Sequence, residues 1–242
     1  MKDNAHVIKD YTLDDPRLDI NRLYTEDYWD LIECNVNLDV DKLREWWEEL
    51  NTKFKYLEFK FDTDHEKLDI EKSKQMVKDG FCGIYCGPIS GYTLAWPIER
   101  DEPLPPPAQC NADKFPEVVY DTFMDDAKIM EKFKFGYLNE LISLLGEDSF
   151  RQAIVTVHHS NMKILQHKDR KKPLKLHIPL ISNPGAAFLF GQNEERRYHM
   201  KVGKVYILNT GDWHGTINPD STRAHIITRI PEEHINFLLS LT

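Results

Sequence analysis

The sequence predicts a mainly β protein with flanking helices, in which an antiparallel sandwich or jelly roll forms the core. After residue 150, five short segments are rich in β-branched or aromatic residues: 151–159, 174–181, 186–191, 204–209 and 223–230. Turn signals such as Asn183-Pro184-Gly185 and Asn218-Pro219-Asp220 separate them. Before residue 150 the patterns are helical instead. Short strands at this spacing favour two packed antiparallel sheets with the earlier helices against their outside.

Two amphipathic helices are predicted ahead of the strands. Residues 39–55 place Leu43, Trp46, Trp47 and Leu50 at spacings of three and four, with Asp39 or Asp41 as the N-cap. Residues 135–150 show the same pattern, with Gly146 as the C-terminal stop of the helix. The segment 86–110 between them is rich in proline and glycine, so it is predicted to be mostly loop.

The length of 242 residues favours a single domain with elaborations. We expect residues 1–150 to be a helix- and loop-rich elaboration that shapes a substrate pocket. Residues 151–230 are expected to be the β core that carries the functional site.

Composition limits the compartment and the partners. The four cysteines, Cys34, Cys82, Cys86 and Cys110, form no CxxC pair, which is typical of free thiols in a reducing compartment. The N-terminus lacks the apolar segment of a signal peptide, and no run of about 18 apolar residues occurs. We therefore expect a cytoplasmic protein without a membrane segment. A net charge of −9 opposes binding to nucleic acid.

A His-x-Asp triplet, His167 and Asp169, is the first chemical signal. In an extended chain these side chains point the same way, about 6.6–7 Å apart along the backbone. Of the ten histidines, only His167 has an acid two residues later. Two histidines and one carboxylate on one face hold non-haem Fe(II) and leave three positions open. His214, in the stretch GDWHGTIN, is the candidate for the third ligand.

A candidate binding site for an organic acid accompanies the triplet. An iron centre that activates O2 needs two further electrons, and the usual donor, 2-oxoglutarate, carries a free carboxylate that calls for a buried cation, preferably an arginine fork. The strand pattern of STRAHIITRI puts Arg223, His225 and Arg229 on one face. Lys175 and His177 likewise share a strand face, eight and ten residues after His167.

This set of motifs resembles the aspartyl/asparaginyl β-hydroxylase family of Fe(II)/2-oxoglutarate oxygenases, which includes free-proline hydroxylases. The resemblance rests on His-x-Asp, the Lys175-x-His177 pair, the WHG of His214 followed by Asn218, and Arg223, over residues 151–230. Lys175 stands where an arginine is common in the family.

The resemblance implies a double-stranded β-helix, the cupin-like form of the jelly roll. It also implies Fe(II) bound by His167, Asp169 and His214. By the same resemblance, 2-oxoglutarate is held by Arg223 with Lys175, His177 and His225, and O2 is the second cosubstrate.

We therefore expect an Fe(II)/2-oxoglutarate-dependent dioxygenase that hydroxylates an unactivated C–H bond of a small polar molecule or of an amino-acid or peptide side chain. Two alternatives stay open: a cupin-like hydrolase or isomerase with Zn or Mn on the same ligands, and a non-catalytic jelly-roll binding module. The oligomeric state is also open.

Two further features have two interpretations each. His158 and His159 are adjacent on a strand, so one faces inward, either to line the pocket or as a structural residue. Asn218 either orients the substrate or belongs to a turn.

Overall fold

The computed structural model describes residues 6–18, 29–61, 85–104, 126–169 and 174–241 of the chain. Cys82 and Cys110 lie outside these residues. Cys34 is buried and has a free thiol.

Within the described residues the chain forms fourteen strands and three α-helices. The strands are β1 (Val7–Ile8), β2 (Leu31–Asn37), β3 (Leu57–Phe61), β4 (Tyr85–Thr93), β5 (Ala95–Trp96), β6 (Lys128–Ile129), β7 (Arg151–His158), β8 (Met162–His167), β9 (Leu174–Ile181), β10 (Ala187–Phe190), β11 (Arg196–Tyr198), β12 (Lys204–Asn209), β13 (His214–Asn218) and β14 (Arg223–Arg229). The helices are α1 (Val40–Lys53), α2 (Tyr137–Leu145) and α3 (Ile235–Ser240).

Strands β7 to β14 form the core as two antiparallel sheets. The first sheet has the order β12-β9-β14-β7, and β2 and β4 extend its two ends. The second has the order β8-β13-β10-β11. Apart from the β10–β11 hairpin, consecutive strands alternate between the two sheets. Eight strands arranged in this way form a jelly roll, so the predicted double-stranded β-helix core is confirmed.

Helices cover the outer face of the first sheet because the strands alternate. Leu176 and Ile178 of β9 and Ile226 of β14 point outward into one apolar core with Leu43 and Trp46 of α1. The Asp39 side chain caps α1 by accepting hydrogen bonds from two backbone N–H groups of the first turn. Both predicted helices are confirmed, because α1 lies within residues 39–55 and α2 lies within residues 135–150. The opposite face of the first sheet is left for polar side chains.

The prediction of mostly loop for residues 86–110 is wrong where β4 and β5 run. The glycines of this segment indicated a loop, but Gly91 has a different role. A Cβ at this position would lie 2.2 Å from the carbonyl oxygen of Val155 on β7. Gly91 is thus required by the close approach of two strands, although in the sequence it is a loop signal.

The end of β8 also differs from the prediction. The strand ends at His167, so Asp169 is not a strand residue. None of the helices in the described parts of the chain has the length and apolar character needed to cross a membrane. The proposed division at residue 150 stays a prediction.

Candidate active site

The three predicted metal ligands lie together between the two sheets. His167 ends β8 and His214 begins β13, and the two residues are paired in the antiparallel register. Their ring centroids are 4.2 Å apart. Asp169 Oδ1 lies 3.9 Å from Nε2 of His167. One ligand atom from each residue lies within 4.8 Å of the others, which is close enough for a shared ion.

Hydrogen bonds select the tautomer of both histidines. His167 Nδ1 lies 2.8 Å from the carbonyl oxygen of Leu165, and His214 Nδ1 lies 3.0 Å from that of Asp212. A carbonyl only accepts, so each Nδ1 carries the proton and each neutral ring keeps its lone pair on Nε2. Burial lowers the pKa of both rings, that of His214 to about 3. Both are therefore neutral, as metal coordination requires.

Asp169 supplies a carboxylate. Burial acts to raise its pKa, but the charge and hydrogen bond of Lys175, together with the effects of His214 and His167, outweigh burial and hold the pKa below its usual range. Lys175 Nζ contacts Asp169 Oδ2 at 2.5 Å. The backbone N–H of Asp169 donates to the carbonyl of Thr210 at 2.8 Å, which fixes the chain just beyond β8. Two neutral imidazoles and one anionic carboxylate are a donor set that fits Fe(II).

Arg223 is a buried cation that has no anionic partner among the residues that the structure describes. It begins β14 and is 3% exposed. Its Nη1 lies 3.1 Å from His158 Nδ1, its Cζ lies 4.5 Å from the centre of the Phe188 ring, and its guanidinium lies against the ring of His225. Burial lowers its pKa to about 9, which leaves it charged at neutral pH. In the parts of the chain that the structure describes, no carboxylate lies within ion-pairing distance of it.

The three histidines around Arg223 are neutral and do not balance its charge. Burial, and then the charge of Arg223, lowers the pKa of His158, His177 and His225 well below the usual value, so all three are neutral. An unpaired buried charge is costly. The surroundings of Arg223 therefore favour binding of an anion from outside the protein.

One cavity of about 100 Å³ joins two of the predicted metal ligands, His167 and His214, to Arg223, and Asp169 is not among its lining residues. A single water needs roughly 10–15 Å³, so there is room for a small organic molecule. It is lined by Ile154, Thr156, His158, Ile164, His167, Lys175, His177, Phe188, Thr210, His214, Gly215, Thr216, Arg223 and Ile227. All of these follow residue 150, so the role predicted for residues 1–150 in shaping the pocket stays a prediction.

Of the other residues predicted to bind the cosubstrate, some line the cavity and some do not. Lys175 and His177 of β9 both line the cavity, as their shared strand face predicted. His225 lies behind Arg223 instead, and neither it nor Arg229 is among the lining residues. Contact of His225 with a cosubstrate would thus go through Arg223.

Other residues were missed or left undecided. His158 is the inward member of its pair and lines the cavity, whereas His159 Nε2 lies 2.8 Å from Ser90 Oγ. The alternation of β7 would also have identified Thr156, two residues before His158. No sequence signal marked Phe188.

Asn218 has the structural role among its two interpretations. Its side-chain amide donates to the carbonyls of His158, His159 and Ser221, each at 2.8 Å, and its oxygen accepts from Asn183. It is completely buried and its hydrogen-bonding groups are all used within the protein.

Comparison with known proteins gives one family match. Residues 131–232 match the family model described as Aspartyl/Asparaginyl beta-hydroxylase. None of the curated proteins matches this chain.

Among solved structures the likenesses are distant. A prolyl hydroxylase from Trichoplax adhaerens, in complex with an oxygen degradation domain peptide fragment of hypoxia inducible factor, is 13% identical, with a TM-score of 0.44 over 89% of this chain and 88% of that chain. A prolyl-4-hydroxylase from Pseudomonas putida is 10% identical, with a TM-score of 0.38 over 88% of this chain and 97% of that chain. The fold assignment above rests on the strand order and not on these values.

The matched region contains the three clustered ligands, Lys175, His177 and Arg223. The family resemblance inferred from the sequence is thereby confirmed for residues 131–232: this region matches the model of a hydroxylase family and carries a His-Asp-His set consistent with Fe(II) and 2-oxoglutarate chemistry.

Proposed function

We propose that this protein hydroxylates an unactivated C–H bond of a small polar molecule or of an amino-acid side chain, with consumption of O2 and release of succinate and CO2. The observation that carries the proposal is the cavity itself. It connects two of the three clustered metal-binding side chains, His167 and His214, with Arg223, a buried arginine that has no counter-ion among the described residues. An organic acid that both chelates a metal and carries a second carboxylate matches both ends.

His167, Asp169 and His214 would hold the metal. Their ligand atoms lie within 4.8 Å of one another, and three protein ligands on one face of an octahedral ion would leave three positions for ligands from outside the protein. When bound, iron and 2-oxoglutarate supply the oxidising chemistry. The chain keeps the two imidazoles neutral and the carboxylate ionised, and it surrounds the site with buried side chains that limit the access of water.

Arg223 would bind the far carboxylate of 2-oxoglutarate. A guanidinium presents two parallel N–H donors to a carboxylate, and Phe188 supports its flat face. Since His158, His177 and His225 are neutral, this end of the cavity carries a single positive charge, which matches a single carboxylate.

Lys175 could interact with either the cosubstrate or Asp169. It lines the cavity, but its ammonium contacts Asp169. A share in 2-oxoglutarate binding therefore requires its flexible side chain to rotate away from Asp169. A lysine acts as a point charge, so we assign it a smaller share than Arg223.

The lining favours a small substrate with a polar group and an aliphatic part. Ile154, Ile164 and Ile227 supply apolar surface. Thr156 and Thr216 add hydroxyl groups, and Thr216 Oγ1 is buried without a hydrogen-bond partner among the described residues. An unpaired buried hydroxyl is a site at which a ligand gains a hydrogen bond.

The proposal is tested by a screen of amino acids and dipeptides for succinate release above the uncoupled background. The protein is loaded anaerobically with Fe(II) and 2-oxoglutarate and then mixed with O2 and each compound. We expect stimulation by a subset of compounds and a gain of one oxygen atom in the product mass. His214→Ala and the Zn-loaded protein are the controls.

Turnover that needs neither O2 nor 2-oxoglutarate would contradict the proposal and favour a Zn or Mn hydrolase or isomerase. Binding of a compound without any turnover would favour the binding module. The cytoplasmic location stays a prediction, which fractionation of cells that express the protein would test.

A further inference from the structure

The segment that joins β12 to β13 touches two of the three metal-binding residues. The carbonyl of Thr210 accepts a hydrogen bond from the backbone N–H of Asp169 at 2.8 Å. The carbonyl of Asp212 accepts from His214 Nδ1 at 3.0 Å. A small rotation of the Thr210 peptide would therefore move Asp169. A rotation of the Asp212 peptide would remove the hydrogen bond that fixes the tautomer of His214.

A chain of charged side chains holds this segment. Asp212 Oδ1 accepts from the backbone N–H of Trp213 at 2.7 Å, and its Oδ2 accepts from Nη2 of Arg196 at 3.2 Å. Arg196 also contacts Asp30: Nε donates to Oδ2 at 2.6 Å, and Nη2 donates to Oδ1 at 2.9 Å. This two-bond fork is the strongest geometry for such a pair.

The carboxylates of Asp30 and Asp212 are both buried, so the loss of their ion pair with Arg196 would be costly. Asp30 is 1% exposed and Asp212 is 4% exposed. A buried carboxylate that loses its cation is left with an uncompensated charge. Lys168, which lies between His167 and Asp169, is the second cation near Asp212, with Nζ 3.9 Å from Oδ1.

Hydrogen bonds to backbone carbonyls also connect residues 29–30 to the segment between β12 and β13. The carbonyl of Asp30 accepts from the backbone N–H of Asn209 at 3.0 Å, and the carbonyl of Trp29 accepts from the Asn209 side chain at 3.2 Å. Asn209 Oδ1 in turn accepts from the N–H of Gly211 at 3.1 Å. Residues 29–30 precede the family match by about a hundred residues, yet they contact Asn209 at one end of the segment and reach Asp212 through Arg196.

We propose that Asp30, Arg196 and Asp212 are positioning residues of the metal site: through the segment Asn209–His214 they set the affinity of the site and the orientation of His214. The inference rests on the proposed function only in requiring that the triad binds a metal. It adds a contribution from outside the matched region, whereas the ligands themselves lie inside it. Groups that orient metal ligands typically change metal affinity by about 10–100-fold when removed.

The test compares Arg196→Gln and Asp30→Asn with wild type. Affinity is measured by anaerobic titration with Fe(II) and with Co(II), whose visible spectrum reports the ligand geometry directly. Thermal unfolding of the metal-free proteins is recorded in parallel. We expect both variants to bind metal about 10–100-fold more weakly and to show an altered Co(II) spectrum.

Two further variants make the test specific. Arg197→Gln is the matched control, because Arg197 is the exposed neighbour on β11 and, within the described parts of the chain, its side chain donates to the carbonyl of Gly185. It should leave affinity and spectrum unchanged. Arg196→Lys keeps the charge but loses the fork, so partial recovery of affinity is expected. If Arg196→Gln does not fold, Arg196→Lys and Asp30→Asn decide the question.

The inference is overturned if the folded variants match wild type in affinity and spectrum, even with lowered thermal stability, because the three residues then act on the fold alone. An equal loss in Arg197→Gln also overturns it. A wild-type protein that binds neither metal contradicts the proposed function itself, so the two failures are distinguishable.

Discussion

His167 and His214 lie opposite each other on the antiparallel strands β8 and β13, with ring centroids 4.2 Å apart. They are separated by 46 residues in the chain. Each donates its Nδ1 proton to a nearby carbonyl, so each keeps a lone pair on Nε2. Two neutral imidazoles this close beside an ionised carboxylate are explained by a shared cation.

Substitution His214→Ala should abolish metal binding, because one of three protein ligands is lost. Removal of groups that only orient ligands costs about 10–100-fold in affinity, so loss of a ligand should cost at least about 100-fold. Anaerobic titration with Fe(II) and 2-oxoglutarate should give a weak visible charge-transfer band in wild type and none in the variant. A band that persists would show that His214 is not a ligand, and His199 or His225 would then be tested.

Substitution Arg223→Ala should weaken 2-oxoglutarate binding and leave metal binding intact. Truncating one partner of a buried charge pair costs about 2–5 kcal/mol, and about 1.4 kcal/mol corresponds to a factor of ten. The dissociation constant for 2-oxoglutarate, measured calorimetrically with Mn(II) in the site, should rise more than tenfold. Arg229→Ala is the control on the same strand. An effect in Arg229→Ala instead of Arg223→Ala would transfer the role to Arg229.

Stability of the metal-free protein should fall as the pH drops below about 6.5. His158, His177 and His225 have lowered pKa values in the folded state, so below the ordinary histidine pKa the unfolded chain takes up protons that the folded protein cannot. Each such group contributes a loss of up to about 1.4 kcal/mol per pH unit. His177→Gln should therefore reduce the slope of the free energy of unfolding against pH. Urea denaturation on both sides of the ordinary histidine pKa measures this slope, and parallel lines for the two proteins would contradict the expectation.

Substitution Gly215→Ala should destabilise the protein and disturb the metal site together. A Cβ at Gly215 would lie 2.6 Å from the carbonyl oxygen of Ile164, a backbone atom of β8 that cannot rotate away. Overpacking of this kind costs about 1–3 kcal/mol. At Gly185 the nearest atom to an added Cβ is a carboxylate oxygen of Asp220, which can move, so Gly185→Ala is the milder control. Thermal unfolding and Co(II) titration check both effects; equal stability and affinity in Gly215→Ala and wild type would show that β8 and β13 can separate without cost.

Much of the candidate site was predictable because its signals are local. Alternation along a strand depends only on neighbouring residues, so the shared face of Lys175 and His177 was correctly predicted. The helical spacing of α1 was readable for the same reason, and its N-cap, Asp39, was one of the two candidates that the sequence offered. His167 was identified as the only histidine with an acid two residues later.

The sequence by itself thus determined the two longer helices, five of the strands after residue 150 and the chemical identity of the candidate ligands. Only the tertiary structure decided which segments meet: that Gly91 brings β4 against β7, that Arg223 has no carboxylate nearby among the described residues, and that Asp30 pairs with Arg196 across 166 positions of the chain. Such contacts depend on close packing and hydrogen bonding between distant strands. No periodicity of a single segment records them, because each partner looks like an ordinary loop or surface residue until the two sheets are assembled.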